Sequence, residues 1–151
     1  MRPELKSLPM SELSPLIEGI IESGTDVRFT VTGSSMRPLL TNCRDSVVLT
    51  ACDPLSLKKR QIPLYKRDDG TYVLHRIVKV KKDSYDMCGD HQWEIEHGVD
   101  KSSVICVVKG FYRNGVYHDC GELPYRLYSF FWTAALPLRK FAFSLHRKLR
   151  K

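Results

Sequence analysis

The sequence predicts a mostly β domain with a coiled or closed sheet, a short N-terminal helix and a basic, amphipathic helical tail. Three observations support this fold class. Short runs of apolar and β-branched residues alternate with turn signals about every ten residues, which is typical of sheets built from many short strands. An apolar face at helical spacing precedes the first run, and apolar residues recur at three- and four-residue steps near the end. We therefore divide the chain into residues 1–122 and residues 123–151.

The first predicted helix begins within the segment Ser11–Pro15, and we expect residues 1–10 to be loose. Ser14 is the candidate N-cap and Pro15 the first helical residue, a position where the missing N–H is tolerated. Ser23-Gly24 ends the helix. Its apolar face, which we expect to pack on the core, consists of Leu16, Ile17, Ile20 and Ile21.

Seven segments have the composition of strands: Val27–Val31, Asp45–Thr50, Ile62–Lys66, Tyr72–Val80, Tyr85–Cys88, Val104–Val108 continuing to Tyr112, and Val116-Tyr117. Residues 52–60 are predicted to be a loop. Asp68-Asp69-Gly70 and Asn114-Gly115 are hairpin turn signals. Pro63 has no backbone N–H, so its strand should lie at a sheet edge or start late.

The run from Tyr72 to Val80 is the strongest strand signal in the chain. We expect it to form a single strand. Because side chains alternate between the faces of a strand, Val73, His75 and Ile77 would then share one face.

The charge of the chain is unevenly distributed. The net charge is +7, but residues 1–122 hold as many acidic as basic residues. The excess lies entirely in residues 123–151, which have no acidic residue and seven basic ones: Arg126, Arg139, Lys140, Arg147, Lys148, Arg150 and Lys151. The high isoelectric point therefore describes the tail and not the body.

The cysteines are odd in number and none has CxxC spacing: Cys43, Cys52, Cys88, Cys106 and Cys120. This pattern favours neither a disulfide framework nor a zinc site, and we expect no metal and no cofactor. Reduced thiols suit a bacterial-type cytoplasm. Residues 1–25 contain no unbroken apolar run of the signal-peptide kind, and no apolar stretch reaches the roughly 18 residues of a spanning helix.

One corner of the chain carries candidate chemistry. Gly33 allows the preceding strand to end sharply, and Pro38 constrains the backbone beyond it. Between these markers the hydroxyls of Ser34 and Ser35 stand beside Met36. From these residues alone, the corner is either a constrained site for a nucleophile or an ordinary serine-rich turn.

A serine hydroxyl becomes a good nucleophile when a neighbouring base takes its proton. His75 is the leading candidate for this base because it lies inside the strongest predicted strand. The alternative is a buried core histidine with one hydrogen bond. The other candidates for the base are the lysines and the remaining histidines: His91, His97, His118 and His146.

Four segments resemble, in the same order, the conserved boxes of the signal peptidase I and LexA-type peptidase superfamily. Gly33–Leu39 is similar to the serine box, in which the serine before a methionine is the nucleophile. Arg44–Val48 resembles the short strand after it. Leu74–Val78 resembles the second box of the ER-type enzymes, where histidine replaces the lysine base, and Gly89-Asp90 resembles the Gly-Asp box. The resemblance covers roughly residues 28–112.

The resemblance implies a serine endopeptidase that cleaves a peptide or leader sequence. Ser35 would be the nucleophile, since it directly precedes Met36, and His75 the general base. Asp90 would orient or charge-stabilise His75, or support the site from further out. Arg76 would make a structural ion pair.

The resemblance also implies how substrate would be held. The backbone N–H of Ser35 would stabilise the oxyanion, with Ser34 as an extra donor. The substrate would lie near Met36 and Gly33 as an extended strand beside a sheet edge, with small side chains near the cut.

Several features depart from the family pattern. Residues 1–25 show no membrane anchor, Arg60-Gln61 stands where Gly-Asp is expected, and Pro63 replaces a usual valine or isoleucine. Asp100 is the nearest match to a second acidic residue. An inactive binding or scaffold module with the peptidase fold is therefore the alternative function.

The tail has an apolar stripe at helical spacing, and Pro137 divides it into two predicted helices. The stripe consists of Leu127, Phe130, Phe131, Ala134, Leu138, Phe141, Leu145 and Leu149, flanked by Tyr128 and Trp132. It either lies peripherally on an anionic membrane surface or packs on the β domain. In the first case, the candidate lipid contacts are Phe131, Trp132, Arg139 and Lys140.

The predicted partners follow from these patterns. We expect a peptide or protein substrate and no nucleic acid, because the aromatic residues of the tail are not interleaved with its positive charges. The expected location is the cytoplasm, peripherally at the membrane if the tail binds lipid. The sequence leaves the oligomeric state open.

Overall fold

The computed structural model describes residues 4–5 and 10–150, with side chains from residue 15 onward. Helices account for 27% of the chain and strands for 33%, so the fold is β-rich but more mixed than the expected mostly β domain. The helices are α1 (Met10–Glu22), α2 (Leu123–Ala134) and α3 (Leu136–Leu149). The strands are β1 (Glu4–Leu5), β2 (Val27–Thr30), β3 (Ser46–Thr50), β4 (Pro63–Lys66), β5 (Tyr72–Leu74), β6 (Arg76–Val80), β7 (Ser84–Cys88), β8 (Glu96–Asp100), β9 (Val104–Arg113) and β10 (Val116–Asp119).

The strands form two curled sheets. The larger one has the order β1-β2-β3-β9-β4-β5, with β10 also paired to β9, and the smaller one has the order β6-β7-β8. The pairing of β1 with β2 is parallel, and the other pairings are antiparallel. β9 lies at the centre because it pairs with β3, β4 and β10.

Two apolar clusters hold these layers together. In the first, Ile17 of α1 packs with Val47, Leu64 and Cys106 from three strands of the larger sheet, and each is at most 1% exposed. In the second, Tyr65 of the larger sheet joins Ile77, Tyr85 and Met87 of the smaller sheet. Burying one large apolar side chain completely stabilises the folded state by about 1.5–3 kcal/mol. The second cluster therefore fixes the angle between the two sheets.

Most predicted strands and turns are confirmed. The turns at Gly70 and at Asn114-Gly115 have the positive φ values that such hairpins require. The strand that contains Pro63 starts at that proline, which agrees with the expectation that it starts late. It does not lie at an edge, because β4 pairs with β9 on one side and β5 on the other.

The N-terminal expectations need correction. Glu4 and Leu5 are not loose but form β1, and α1 begins at Met10 instead of Pro15. Pro15 therefore lies inside the helix, where it removes one backbone hydrogen bond. The apolar spacing of the sequence runs back through Leu13 to Met10, which explains why the helical pattern extends past the proline.

The prediction of one strand from Tyr72 to Val80 is wrong. The run breaks at His75 into β5, which pairs with β4 in the larger sheet, and β6, which pairs with β7 in the smaller one. Beyond the break, Ile77 also exchanges backbone hydrogen bonds with Arg60 and Gln61. A chain that passes from one sheet to another stays buried on both sides of the corner, so the apolar pattern gives no sign of the break.

The tail consists of two helices, as predicted, and each has a proline at its first turn. The side of α2 that faces the domain is mostly polar and aromatic, with Tyr125, Ser129 and Thr133 buried. The expected alternative, in which the apolar stripe packs on the β domain, is therefore wrong. Within the described part of the chain, no helix is long and apolar enough to cross a membrane.

Candidate active site

The serine corner is built on the core. Gly33 has φ +92°, a backbone conformation that glycine adopts readily, and its N–H donates a 2.9 Å hydrogen bond to Oδ1 of Asn42. Met36, Leu39 and Leu40 are at most 4% exposed and belong to the first apolar cluster. Ser35 directly precedes this buried anchor and is itself half-buried. The corner is therefore a packed element and not a loose serine-rich turn.

The loop after β7 supports the corner from one side. The N–H of His91 donates a 2.9 Å hydrogen bond to the carbonyl oxygen of Ser35. A Cβ atom at Gly89 would lie 2.6 Å from the same oxygen, closer than real Cβ contacts allow. A glycine is required here because the backbone of the serine corner packs directly on it.

Ser35 and His75 line the same cleft, whose volume is about 280 Å³. Met36, Arg67 and Gln92 line it as well. Within residues 15–150, neither Oγ nor N–H of Ser35 has a hydrogen-bond partner, and Ser35 does not hydrogen-bond to His75. The hydroxyl and the N–H of Ser35 are therefore both free to meet a ligand.

Ser34 and Gly33 stand outside this cleft. Both are exposed, and neither lines it. We therefore leave Ser34 out of the oxyanion site and Gly33 out of the substrate contacts, whereas Met36 stays among them.

A hydrogen-bonded chain orients His75. The hydroxyl of Tyr65 donates a 2.8 Å hydrogen bond to Oε2 of Glu96. The Tyr65 oxygen can therefore accept a hydrogen bond from Nδ1 of His75, which lies 3.4 Å away. Arg67 fixes Glu96 with a forked contact of 2.9 Å and 3.0 Å. This arrangement places the proton of a neutral His75 on Nδ1 and leaves Nε2 as the basic nitrogen.

His75 is neutral at neutral pH, mainly because its imidazole is buried. Burial, and after it the charge of Arg67, lowers the pKa of His75 to about 4, although the charge of Glu96 acts in the opposite direction. Burial by itself would raise the pKa of Glu96, but the hydrogen bonds from Arg67 and Tyr65 hold it below its usual value. At neutral pH the site thus contains a neutral histidine and an ionised glutamate, which Tyr65 connects.

Asp90 has a different set of partners from the one expected of a residue that orients His75. Its two carboxylate oxygens accept 2.8 Å hydrogen bonds from Nε and Nη2 of Arg76, and Oδ2 also accepts one from Tyr128. Arg76 and Asp90 are each 1% exposed, so the predicted ion pair of Arg76 is confirmed as a buried one. Asp90 therefore anchors the loop after β7, and the next residue, His91, donates to the carbonyl of Ser35. Asp100 caps the short 3₁₀ turn Lys101–Ser103.

The tail completes this anchor. Nε1 of Trp132 and Nη1 of Arg139 donate hydrogen bonds of 2.9 Å and 2.7 Å to the backbone carbonyl of Asp90. Arg139 also lies over the Trp132 ring and donates to the carbonyl of Gln92. We therefore omit Trp132 and Arg139 from the set of candidate lipid contacts, because their polar groups face the protein.

A second cleft of about 580 Å³ continues from the first. The two clefts share Arg67, His75 and Gln92, so His75 stands near the middle of one groove. Its far end is formed by the residues from Trp93 to Glu96. At its near end lies β5, which ends the larger sheet, so that a strand edge borders the groove.

Sequence reasoning missed Tyr65, Arg67 and Glu96. Tyr65 lies in a predicted strand, Arg67 lies between that strand and a predicted turn, and Glu96 lies in a segment with no predicted element. The three residues meet only in the folded protein, where β4 of one sheet and β8 of the other come together. β8 itself was not predicted, since its residues are mostly polar and pair through their backbone.

Arg60 occupies the position where the resemblance expects a glycine. Its φ is +80°, so the backbone keeps the left-handed conformation although the side chain disfavours it. The carbonyl of Arg60 accepts a 3.0 Å hydrogen bond from Arg76, and its N–H donates to Ile77. The backbone at Arg60 therefore keeps the conformation that a glycine would have at this position.

None of the known protein families, curated proteins or solved structures compared with this chain matches it. The described residues contain no cluster of three or more histidine, cysteine, aspartate or glutamate side chains that could bind a metal ion.

Proposed function

We propose that this chain is a serine endopeptidase of the signal peptidase and LexA-type class, with Ser35 as nucleophile and His75 as general base. The observation that carries the proposal is that Ser35 and His75, forty residues apart in the sequence, line one cleft. Ser35 has a free hydroxyl there, and His75 is held neutral with Nε2 as its basic nitrogen. A serine and a neutral imidazole in one cleft are the two parts that acyl transfer needs.

The reaction would proceed through an acyl-enzyme. Ser35 Oγ attacks the carbonyl carbon of the peptide while Nε2 of His75 takes the hydroxyl proton. The oxyanion that forms accepts a hydrogen bond from the N–H of Ser35. His75 then passes its proton to the leaving amine as the C–N bond breaks. In the second half of the reaction, water attacks the ester carbonyl while His75 takes its proton. His75 then gives that proton to Ser35 Oγ as the C–O bond breaks and the acid product leaves.

Tyr65 and Glu96 would support His75 as positioning residues. When His75 carries its second proton, the carboxylate of Glu96 favours the charged imidazole through the Tyr65 hydroxyl. The dipole of that hydroxyl transmits the effect without taking part in proton transfer. The two residues would therefore have the role that a directly bonded aspartate has in serine proteases.

A hydrogen bond between Ser35 and His75 requires a closing movement, because they do not hydrogen-bond in this structure. Such contacts often tighten only when substrate binds. An extended peptide that pairs with the edge of β5 would pass between the two residues and cover the cleft.

The test is the loss of cleavage in the Ser35→Ala variant. Mass spectrometry of a peptide library would identify cleaved sequences, and Ser35→Ala should reduce kcat/KM by about a thousandfold or more. Ser34→Ala is the matched control, since it removes an adjacent hydroxyl that lies outside the cleft. Both variants should keep the melting temperature of the parent. Equal cleavage by Ser35→Ala and the parent would refute the assignment.

An inactive binding module is the second candidate function. The missing Ser35–His75 hydrogen bond and the departures at residues 60–63 favour it. In that case peptides would bind in the groove without being cut, and Ser35→Ala would leave their affinity unchanged. Peptide capture by the parent, with no cleaved product and no acyl-enzyme on Ser35, would support this second function.

A further inference from the structure

The helices α2 and α3 expose a long apolar surface. Eight of the twelve large apolar side chains that are exposed in residues 15–150 lie on these two helices. We call them the tail face: Leu123, Leu127, Phe130, Phe131, Leu138, Phe141, Leu145 and Leu149. Their exposed fractions range from 47% to 78%. The two helices are roughly 18 Å and 21 Å long, so the tail face is larger than the scattered apolar contacts of an ordinary surface.

The opposite side of the helices is firmly docked. Trp132 and Arg139 bind the carbonyl of Asp90, Tyr128 binds its carboxylate, and Phe143 stacks on Trp93 with ring centroids 4.6 Å apart. These contacts use the polar and aromatic groups of the tail. The tail face therefore cannot turn inward without breaking them, and its exposure follows from the fold.

Positive charge surrounds the tail face, and no acidic residue occurs in residues 123–151. Arg126 lies one helical turn before Phe130, and Lys148 lies three residues after Leu145, so both border the apolar side chains. Lys58, Lys59 and Arg60 add three more cations from a neighbouring loop, which lines a groove together with Leu127 and Phe130. Apolar side chains bordered by cations match the interface of an anionic bilayer.

We propose that the tail face binds the surface of a membrane that contains anionic phospholipids. The apolar side chains would enter the boundary between headgroups and acyl chains, and the bordering cations would contact the phosphates. A second copy of the chain fits less well, because it would place two cationic tails against each other. The proposal concerns attachment, so it does not depend on peptidase activity.

Membrane attachment would also orient the cleft. The junction of α2 and α3 binds the carbonyl of Asp90, and the adjacent His91 donates to the carbonyl of Ser35. The serine corner is therefore two hydrogen bonds away from the helices that would lie on the lipid. The candidate site would be held at a fixed distance from the bilayer.

The test is flotation of the full chain with vesicles. The chain should float with vesicles of phosphatidylcholine and phosphatidylglycerol, and only weakly with phosphatidylcholine alone. Raising the salt concentration should release it, because screening weakens the contacts of the cations. Ser35→Ala should float like the parent, which separates this proposal from the proposed catalytic function.

Two double variants address the two parts of the tail face. Phe131→Ser with Phe141→Ser removes exposed rings, and Arg126→Glu with Lys148→Glu reverses bordering charges. Each pair should weaken the apparent affinity for anionic vesicles by about tenfold or more. All four side chains are exposed, so the fold should survive, as circular dichroism can verify.

Matched controls change the same kinds of residue elsewhere. Leu55→Ser with Val116→Ser removes apolar side chains that are 66% and 59% exposed, and Lys79→Glu with Lys82→Glu makes the same change in net charge. Both controls should bind vesicles like the parent. The proposal is overturned if the parent fails to float with anionic vesicles, or if the controls lose as much binding as the tail variants. It is also overturned if the chain forms a dimer that Phe131→Ser with Phe141→Ser dissociates.

Discussion

The hydroxyl of Tyr65 lies 3.4 Å from Nδ1 of His75 and connects it to Glu96. Tyr65 is fully buried and His75 is 5% exposed, so water cannot readily replace either partner. This contact determines which nitrogen of His75 carries the proton. The hydrogen bond from Tyr65 to Glu96 also connects the two sheets at the candidate site.

Removal of the Tyr65 hydroxyl should reduce catalysis more than a comparable change elsewhere. In Tyr65→Phe, Nδ1 of His75 loses its acceptor, so kcat/KM should fall by about tenfold through loss of one neutral hydrogen bond. The change should appear in kcat, with KM nearly unchanged, because the groove keeps its shape.

Tyr85→Phe is the matched control for this prediction. Tyr85 is as buried as Tyr65, but its hydroxyl bonds to Pro54 and Leu57, away from the cleft. Both variants should lose about 1–2 kcal/mol of unfolding free energy. Equal kinetic effects of the two variants would show that Tyr65 has only a structural role.

Activity should persist in acid. Burial lowers the pKa of His75 to about 4, so the general base stays unprotonated far below the usual histidine range. The acid limb of kcat/KM should therefore have its midpoint near pH 4. Measuring kcat/KM at a series of pH values, with a peptide that the enzyme cleaves, would locate this midpoint. A midpoint near the ordinary histidine pKa of about 6.5 would show that His75 becomes solvated in the working enzyme.

Stability should fall in the same pH range. The pKa of His75 is 6.5 in the unfolded chain and about 4 when folded, so the unfolded chain binds more protons between these values. The free energy of unfolding should therefore fall as the pH drops through this window, by roughly 3 kcal/mol in total, and level off below it. Urea titrations at several pH values would measure the fall.

A variant at His75 isolates this contribution. His75→Gln cannot titrate, so its stability should depend less on pH than that of the parent. His97→Gln changes a histidine whose side chain is 67% exposed and serves as the control. A parallel pH dependence of the parent and His75→Gln would contradict the assigned burial of a neutral imidazole.

Gly89→Ala should disturb the serine corner. The new Cβ would meet the carbonyl oxygen of Ser35 at 2.6 Å, so the backbone of the corner must move. We expect a loss of about 1–3 kcal/mol in stability and a lower kcat/KM, as overpacking against backbone has no easy relief.

Gly19→Ala is the matched substitution. Gly19 lies in α1 with no atom within 4 Å of the added Cβ, so alanine should stabilise the helix by about 0.5–1 kcal/mol. Thermal unfolding of both variants would check the opposite signs. A neutral Gly89→Ala would mean that the loop after β7 yields easily and does not position Ser35.

Asp90→Asn should damage stability more than chemistry. It leaves the buried guanidinium of Arg76 without its partner, which costs about 3–5 kcal/mol when a buried pair is broken. Hydrogen bonds from Arg76 hold Asp90 in the loop, so the variant should unfold at a lower temperature. Where the variant is still folded, kcat/KM should remain within about tenfold of the parent.

A conservative substitution of Arg76 tests the same ion pair at its other residue. Arg76→Lys keeps the charge but not the forked geometry, and it should lose less stability than Asp90→Asn. If Asp90→Asn stayed fully folded and lost cleavage as completely as Ser35→Ala, Asp90 would act on His75 directly and the assignment to Tyr65 and Glu96 would be wrong.

Most of the local structure could be predicted from the sequence. Short runs rich in apolar residues indicated β2, β3, β7 and β9, and the turn residues at Gly70 and Asn114-Gly115 placed two hairpins, because both signals depend on near neighbours. The candidate pair Ser35 and His75 also came from the sequence, through the resemblance of the surrounding boxes.

The tertiary structure alone decided how these pieces meet. The chain changes sheets at His75, and Tyr65, Arg67 and Glu96 assemble around it from β4, the following turn and β8. Hydrogen-bond partners that lie ten or more residues apart leave no periodic trace in the sequence. The structure likewise turned Trp132 and Arg139 toward Asp90 and left the tail face exposed. The spacing of apolar residues identifies a helical face, whereas the hydrogen bonds on the opposite face determine which one turns outward.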